Sequence, residues 1–337
     1  METKHLIAKD KFLNESIKKA AILLKKGEIV AIPTETVYGL GADATREEAV
    51  DKIYRAKGRP NDNPLIVHIG SKEQLFELVT DIPPYVEDLI DKFSPGPITY
   101  VLKSSGKVAK NVTAGLTTVG VRIPDNPVAL ELLRYSEIPI AAPSANISGK
   151  PSPTTAQHVL DDLEGKISAV LDGGPAKVGV ESTVIDCTEA QPVVLRLGKI
   201  TTDEIQQVVG NVEVASTLSD NSEKPKSPGM KYKHYAPEVP LILVKQKSQM
   251  EQVINKEKSK GSRIGLLVSA SNAKQFQAEK IIVLGENEEE IAERLYNALR
   301  SFKQEEIDVV ICESFPTSGV GRAVMDRIER AATSIID

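Results

Sequence analysis

Twelve residues concentrate much of the chemistry in this chain: Lys57-Gly-Arg-Pro-Asn-Asp-Asn-Pro-Leu-Ile-Val-His68. A lysine is a point charge and an arginine a planar fork, so together they make an anion site wherever the backbone holds them still. Other candidates stand at the ends of apolar runs. Pro33-Thr-Glu-Thr-Val-Tyr-Gly-Leu-Gly41 sets two threonines, a glutamate and a tyrosine in a turn closed by two glycines, which suits a polar ligand pocket. The same threonines would also serve to bond their own backbone. Arg122 ends the apolar run Thr118-Val-Gly-Val-Arg122, and Arg196 lies in Val193-Val-Leu-Arg-Leu-Gly198. The loop 143–154 offers Ser144, Asn146, Ser148 and Ser152 between fixed prolines, all able to hydrogen-bond a phosphate, a ribose or an amino acid.

Common catalytic engines are missing. There is no G-x-x-x-x-G-K-[ST] loop, no G-x-S-x-G elbow, no H-E-x-x-H and no C-x-x-C. Lys57, Arg59, Arg122 and Arg196, with short hydroxyls, amides and His68, can position polyanions and stabilise developing negative charge. That describes a nucleotide-using ligase or transferase.

The positioning elements follow from periodicity. Ala49, Val50, Ile53 and Ala56 recur at helical spacing over 46–56, and Gly58 suits the left-handed residue that closes a helix. Pro60 and Pro64 stop the helix from resuming, and Leu65-Ile-Val67 reads as a short buried strand. Strands are expected at 28–32, 98–103 and 118–122, and helices at 13–26, 72–80, 85–92 and 126–135. No strict βαβ rhythm appears, so the first part is α/β or α+β around a twisted open sheet. The 337 residues suggest two domains: 1–210, a linker or lid over 211–237 that carries Tyr, Lys and His, and a smaller α/β domain over 238–337. Gly319-Val-Gly321 lacks the context of a dinucleotide fingerprint.

Composition narrows the classes. A net charge of -5, no Trp and 4% aromatics weigh against a stacking or broadly basic nucleic-acid platform. Two distant cysteines read as small buried hydrophobes, and four histidines without ligand spacing weigh against a structural zinc site. No apolar run is long enough to cross a membrane. A cytoplasmic protein is expected.

Pro33–Gly41, the Lys57-Gly-Arg59 turn running to His68, and Ser144-Ala-Asn146 together resemble the YrdC-like family. The resemblance covers about residues 10–205. The motif Ser227-Pro-Gly-Met-Lys-Tyr-Lys-His-Tyr-Ala-Pro237 and the domain after it resemble that family's long form, the threonylcarbamoyl-AMP synthases. The resemblance implies a twisted sheet with a deep basic groove and a C-terminal Rossmann-like domain. It also implies a reaction in which L-threonine, bicarbonate and ATP give threonylcarbamoyl-AMP and pyrophosphate, with Mg²⁺ carried on the phosphates. A downstream tRNA threonylcarbamoyltransferase complex would use the product on ANN-codon tRNAs, with at most a weak tRNA contact here. By motif, Lys57, Arg59, Ser144 and Asn146 form a catalytic tetrad. Thr36, His68, Arg122 and Ser182 hold threonine with a backbone contact from Ala142, the choice between Thr34 and Thr36 staying open. Arg59, Asn63, Thr118, Ser144, Ser152 and Arg196 hold ATP, and Tyr235 closes over it. The competing reading is a non-catalytic module that binds double-stranded RNA or tRNA.

Overall fold

A computed structural model of the protein describes residues 2–215 and 235–337. Most of the linker expected at 211–237 lies outside the described residues. Two compact units emerge: 2–148, 153–177 and 181–215 form the first, and 149–152, 178–180 and 235–337 the second. The division therefore does not follow a single cut in the chain. Two short loops of the earlier sequence join the second unit.

In the first unit the strands run β1 Lys4–Ile7, β2 Val30–Ile32, β3 Gly39–Asp43, β4 Ile66–His68, β5 Val79–Thr80, β6 Ile98–Ser104, β7 Thr118–Arg122, β8 Ile140–Ala141, β9 Ala169–Asp172, β10 Thr183–Asp186, β11 Val193–Arg196 and β12 Glu213–Val214. They form one mixed sheet in the order β1-β9-β2-β3-β8-β4-β7-β6-β10-β11-β12, with β5 beside β6. The helices are α1 Leu13–Lys25, α2 Glu47–Lys57, α3 Lys72–Leu78, α4 Tyr85–Phe93, α5 Pro127–Ser136, α6 Ala156–Leu163 and α7 Thr202–Val209. Their ends follow local chemistry. Asn126 caps α5 by accepting from the Val128 and Ala129 amides, with Pro127 opening the helix. Thr201 and Glu204 close a reciprocal capping box on α7.

Strand alternation explains where the site lies. Ala31, Val67, Tyr100, Val119, Val121, Ala141 and Ile185 face the main core, together with Ile53 of α2 and Leu89 of α4. On the opposite face Val30, Ile32, Ile140, Ala142, Ala169 and Leu171 meet Ile17 and Leu24 of α1 and Leu132 of α5. Further along that same face only Ile66, Val101 and Val184 cluster, with Leu195 against them. All four come from strands, so among the described residues no helix of this unit packs there. That helix-free half of the face carries Thr118 and the buried Thr99, His68 and Arg122.

The second unit holds β13 Leu241–Val244, α8 Met250–Ser259, β14 Ile264–Val268, β15 Lys280–Val283, α9 Glu288–Arg300, β16 Val309–Glu313, α10 Gly321–Ala331 and β17 Ser334–Ile336. Its strands are parallel throughout, in the order β15-β14-β16-β13-β17. The loops borrowed from earlier sequence pack on this unit's helix α9. Pro151 O accepts from Arg300 Nη2 at 2.6 Å, and a Cβ on Gly179 would fall 2.2 Å from Ala292 O. Gly321 is likewise a packing glycine, since its Cβ would lie 2.1 Å from Pro316 O. Cys187 and Cys312 are both free and fully buried. No helix among the described residues is long and apolar enough to cross a membrane.

Candidate active site

Arg122 organises the helix-free face. It ends β7, in register with His68 at the end of β4, and is only 4% exposed. Its Nε donates to Gly96 O at 3.2 Å, Nη1 to Thr36 Oγ1 at 3.0 Å and Nη2 to Glu35 Oε1 at 2.5 Å. Thr34 lies beside Thr36 but turns inward. Its hydroxyl accepts from the Thr36 and Val37 amides at 3.2 Å and donates to Val37 O at 2.6 Å. Of the two threonines left open in the sequence, Thr36 is the one that bonds Arg122, and the Thr34 hydroxyl lies 2.9 Å from the Thr36 hydroxyl. The local-turn reading holds for Thr34.

His68 is buried, and its Nδ1 has no hydrogen-bond partner among the described residues. Burial, reinforced by the nearby Arg122 charge, pushes its pKa down to about 3, so the ring is neutral at physiological pH. Beyond β7, where β6 and β10 pair, Ser182 Oγ lies 2.8 Å from Thr99 Oγ1. Arg196 grips Ser182 with Nε on its carbonyl and Nη2 on its hydroxyl, both at 3.1 Å. Between these clusters Gly120 keeps the floor low. A Cβ there would lie 3.3 Å from Thr99 Cγ2 and 3.6 Å from Ile66 Cγ1.

The Lys57–Arg59 turn is a complete left-handed helix closure. Gly58 has φ +60°, its N–H reaches Arg55 O at 3.4 Å, and the Arg59 N–H reaches Tyr54 O at 3.1 Å. Lys57 is turned inward. It is 2% exposed, and its Nζ donates to the carbonyls of Ser144 and of Asn146, the latter at 2.6 Å. Ser148 N–H returns a bond to Lys57 O at 2.9 Å. The ammonium therefore staples the Ser144–Asn146 loop to α2. Arg59 Nη2 similarly bonds the carbonyls of Asn63 and Pro64 at 3.3 and 3.1 Å. Asn63 is buried, with no partner for its Oδ1 among the described residues.

β8 and β4 tie the two clusters together. Ala142 N–H donates to Ile66 O at 2.9 Å, so only its carbonyl is left for a ligand. Ser144 lies two residues beyond Ala142, and His68 two beyond Ile66. Thr118 is half-buried on the same face as Arg122. Tyr38, expected in the pocket, points elsewhere: its hydroxyl donates to Gly174 O at 2.6 Å. The supposed turn at Gly39 and Gly41 is strand β3, where a Cβ on Gly41 would meet Ile140 Cγ2 at 2.9 Å. Ser152 and Tyr235 belong to the second unit. Ser152 is 1% exposed, and Tyr235, at φ +66°, stacks on Tyr296 with ring centroids 5.4 Å apart. Thr99 and Gly120 were not singled out from sequence, and Glu35 only as one of four polar groups in its turn. A glycine inside an apolar strand was the signal for Gly120.

The geometry is that of an α/β protein whose helix-free sheet face carries a buried polar cluster suited to small, charged molecules. Two family models match in tandem: one described as "Telomere recombination" at residues 22–198, and one described as "Threonylcarbamoyl-AMP synthase, C-terminal domain" at 200–333. The threonylcarbamoyl-AMP synthase of Bacillus subtilis is 49% identical over 94% of this chain and 92% of its own. That of Pyrococcus abyssi is 47% identical over 94% of each. The crystal structure of P. abyssi Sua5 complexed with L-threonine superposes with a TM-score of 0.93, at 44% identity over 100% of this chain and 99% of that one. The chain belongs to the threonylcarbamoyl-AMP synthase family.

Proposed function

We propose that the protein is a nucleotidyltransferase that makes L-threonylcarbamoyl-AMP and pyrophosphate from L-threonine, bicarbonate and ATP. The observation that carries this reading is the buried Arg122 with Thr36 and neutral His68 beside it, on the sheet face that also leads to the Lys57–Ser144–Asn146 staple. Arg122 suits the amino acid's carboxylate, with His68, Thr36, Ser182 and the Ala142 carbonyl around it. Arg59, Asn63, Thr118, Ser144 and Arg196 suit the nucleotide, and the unpartnered Asn63 Oδ1 asks for a donor. Ser152 and Tyr235 are assigned to the nucleotide on their motifs.

In chemical terms the amine of threonine combines with bicarbonate to a carbamate with loss of water. A carbamate oxygen then attacks the α-phosphorus and pyrophosphate leaves. Both partners are anions, so the site must hold them against repulsion and keep water away from a carbamate that reverts readily. Lys57 acts by fixing the Ser144–Asn146 loop and by adding positive potential behind it. Among the described residues no cluster of three carboxylate, histidine or cysteine ligands could hold a metal. Mg²⁺ fits this site as a passenger on the nucleotide's phosphates, neutralising their charge.

Pyrophosphate release from ATP, with threonine and bicarbonate omitted in turn, tests the reading. Release that needs both is expected. Release indifferent to threonine would overturn it, and salt-sensitive RNA binding without ATP consumption would favour the non-catalytic module. Delivery of the adenylate to a tRNA-modifying complex is part of the same proposal.

A further inference from the structure

Beside Arg122, Glu35 is a buried charge that these assignments leave without a task. It is 7% exposed, on a loop fixed by the Thr34 hydroxyl and by Lys177 N–H on its own carbonyl at 3.1 Å. One carboxylate oxygen takes Arg122 Nη2 at 2.5 Å. The other, Oε2, is buried with no hydrogen-bond partner among the described residues. A buried charged acceptor left unmade is costly, and no donor among the described residues reaches this oxygen.

We propose that Glu35 Oε2 receives the α-ammonium of the amino-acid substrate, an inference that rests on the threonine reading above. An α-amino acid carries its carboxylate and ammonium on one carbon. The Arg122–Glu35 pair places a cation and an anion side by side at the same scale, so the zwitterion docks with each charge on its opposite. Net charge decides specificity as well. The buried pair is neutral overall and stays balanced when it takes a neutral zwitterion, whereas a carboxylate without the ammonium adds an uncompensated charge. None of the other threonine contacts is anionic, so the ammonium has no other charged partner among them. Glu35 thereby sets preference for an α-amino acid over a hydroxy acid of the same shape.

Calorimetric titration of the full chain with L-threonine and with 3-hydroxybutanoate, its deaminated skeleton, tests this. Wild type is expected to favour threonine by about 100-fold. Glu35→Gln should weaken threonine about 30-fold, as loss of one charge-assisted bond predicts, and should bind 3-hydroxybutanoate no more weakly than wild type does, because Arg122 is then left to balance its carboxylate. Glu35→Asp should recover part of the difference. Equal affinity of wild type for both ligands overturns the proposal whatever the variants do. So does an equal loss for both in Glu35→Gln, which would make Glu35 only a brace for Arg122. A wild type that binds neither ligand sinks the threonine reading itself, a result distinct from both.

Discussion

Replacing Lys57 by methionine separates its two roles, because methionine keeps the stem and removes the ammonium. The ammonium makes charge-assisted bonds to the carbonyls of Ser144 and Asn146 from a site 2% exposed. Such bonds contribute ~1.5–3 kcal/mol each, less the cost of burying the charge, so a net loss of ~3 kcal/mol is expected. For a unit of this size that lowers Tm by ~6–12 °C. Calorimetry gives the Tm, and amide exchange should show the Ser148 N–H, bonded to Lys57 O, losing protection as the loop loosens. Pyrophosphate release should vanish with it. A Lys57→Met protein that melts within ~2 °C of wild type with Ser148 still protected would refute the staple. Near-wild-type turnover would refute the catalytic assignment.

The His68 ring titrates far below its unfolded value of 6.5, at about 3. The unfolded chain therefore binds the proton first, so this contribution to stability is full above pH 6.5 and is lost as pH falls toward 3. Urea midpoints should drop more steeply from about pH 7.5 to about pH 5 in wild type than in His68→Gln, and parallel slopes would contradict this. Gly120→Val raises the floor between Thr99 and Ile66 and should weaken substrate binding about tenfold, ~1.4 kcal/mol, with Tm nearly unchanged. Unaltered binding would show that ligands pass elsewhere. Tyr235→Ala removes a buried ring stacked on Tyr296 and should destabilise the second unit by ~3 kcal/mol in denaturant titrations, with Tyr235→Phe costing much less. Slower turnover in Tyr235→Phe at full stability would place the hydroxyl on the nucleotide, and unchanged turnover would remove that assignment.

Much of this was legible before any coordinates. Apolar runs ending in a single polar residue located Arg122 and His68, because strands buried on both faces spare a charge only at their ends. The closure at Gly58 followed from glycine's freedom at positive φ. Direction was not legible: Lys57 could have faced solvent, and only packing of α2 against the Ser144–Asn146 loop turns it inward. The Arg122–Glu35 pair joins residues 87 positions apart, which no local spacing announces. Thr34 and Thr36 differ only in which one the turn consumes. The edge strands β1 and β17 escaped notice because Lys4–Ile7 and Ser334–Ile336 are short and half polar.

Sheet order also governs how the chain comes into being on the ribosome. β9, near residue 170, pairs with both β1 at residues 4–7 and β2 at residues 30–32. About half of the protein must therefore be synthesised before that side of the sheet can close. Until then β2 offers a bare edge of valine, alanine and isoleucine, a natural template for another nascent chain. Parallel pairing over such distances is slow to form. Expression should therefore respond strongly to growth temperature and to chaperones that shield emerging strands, even where the finished protein is stable.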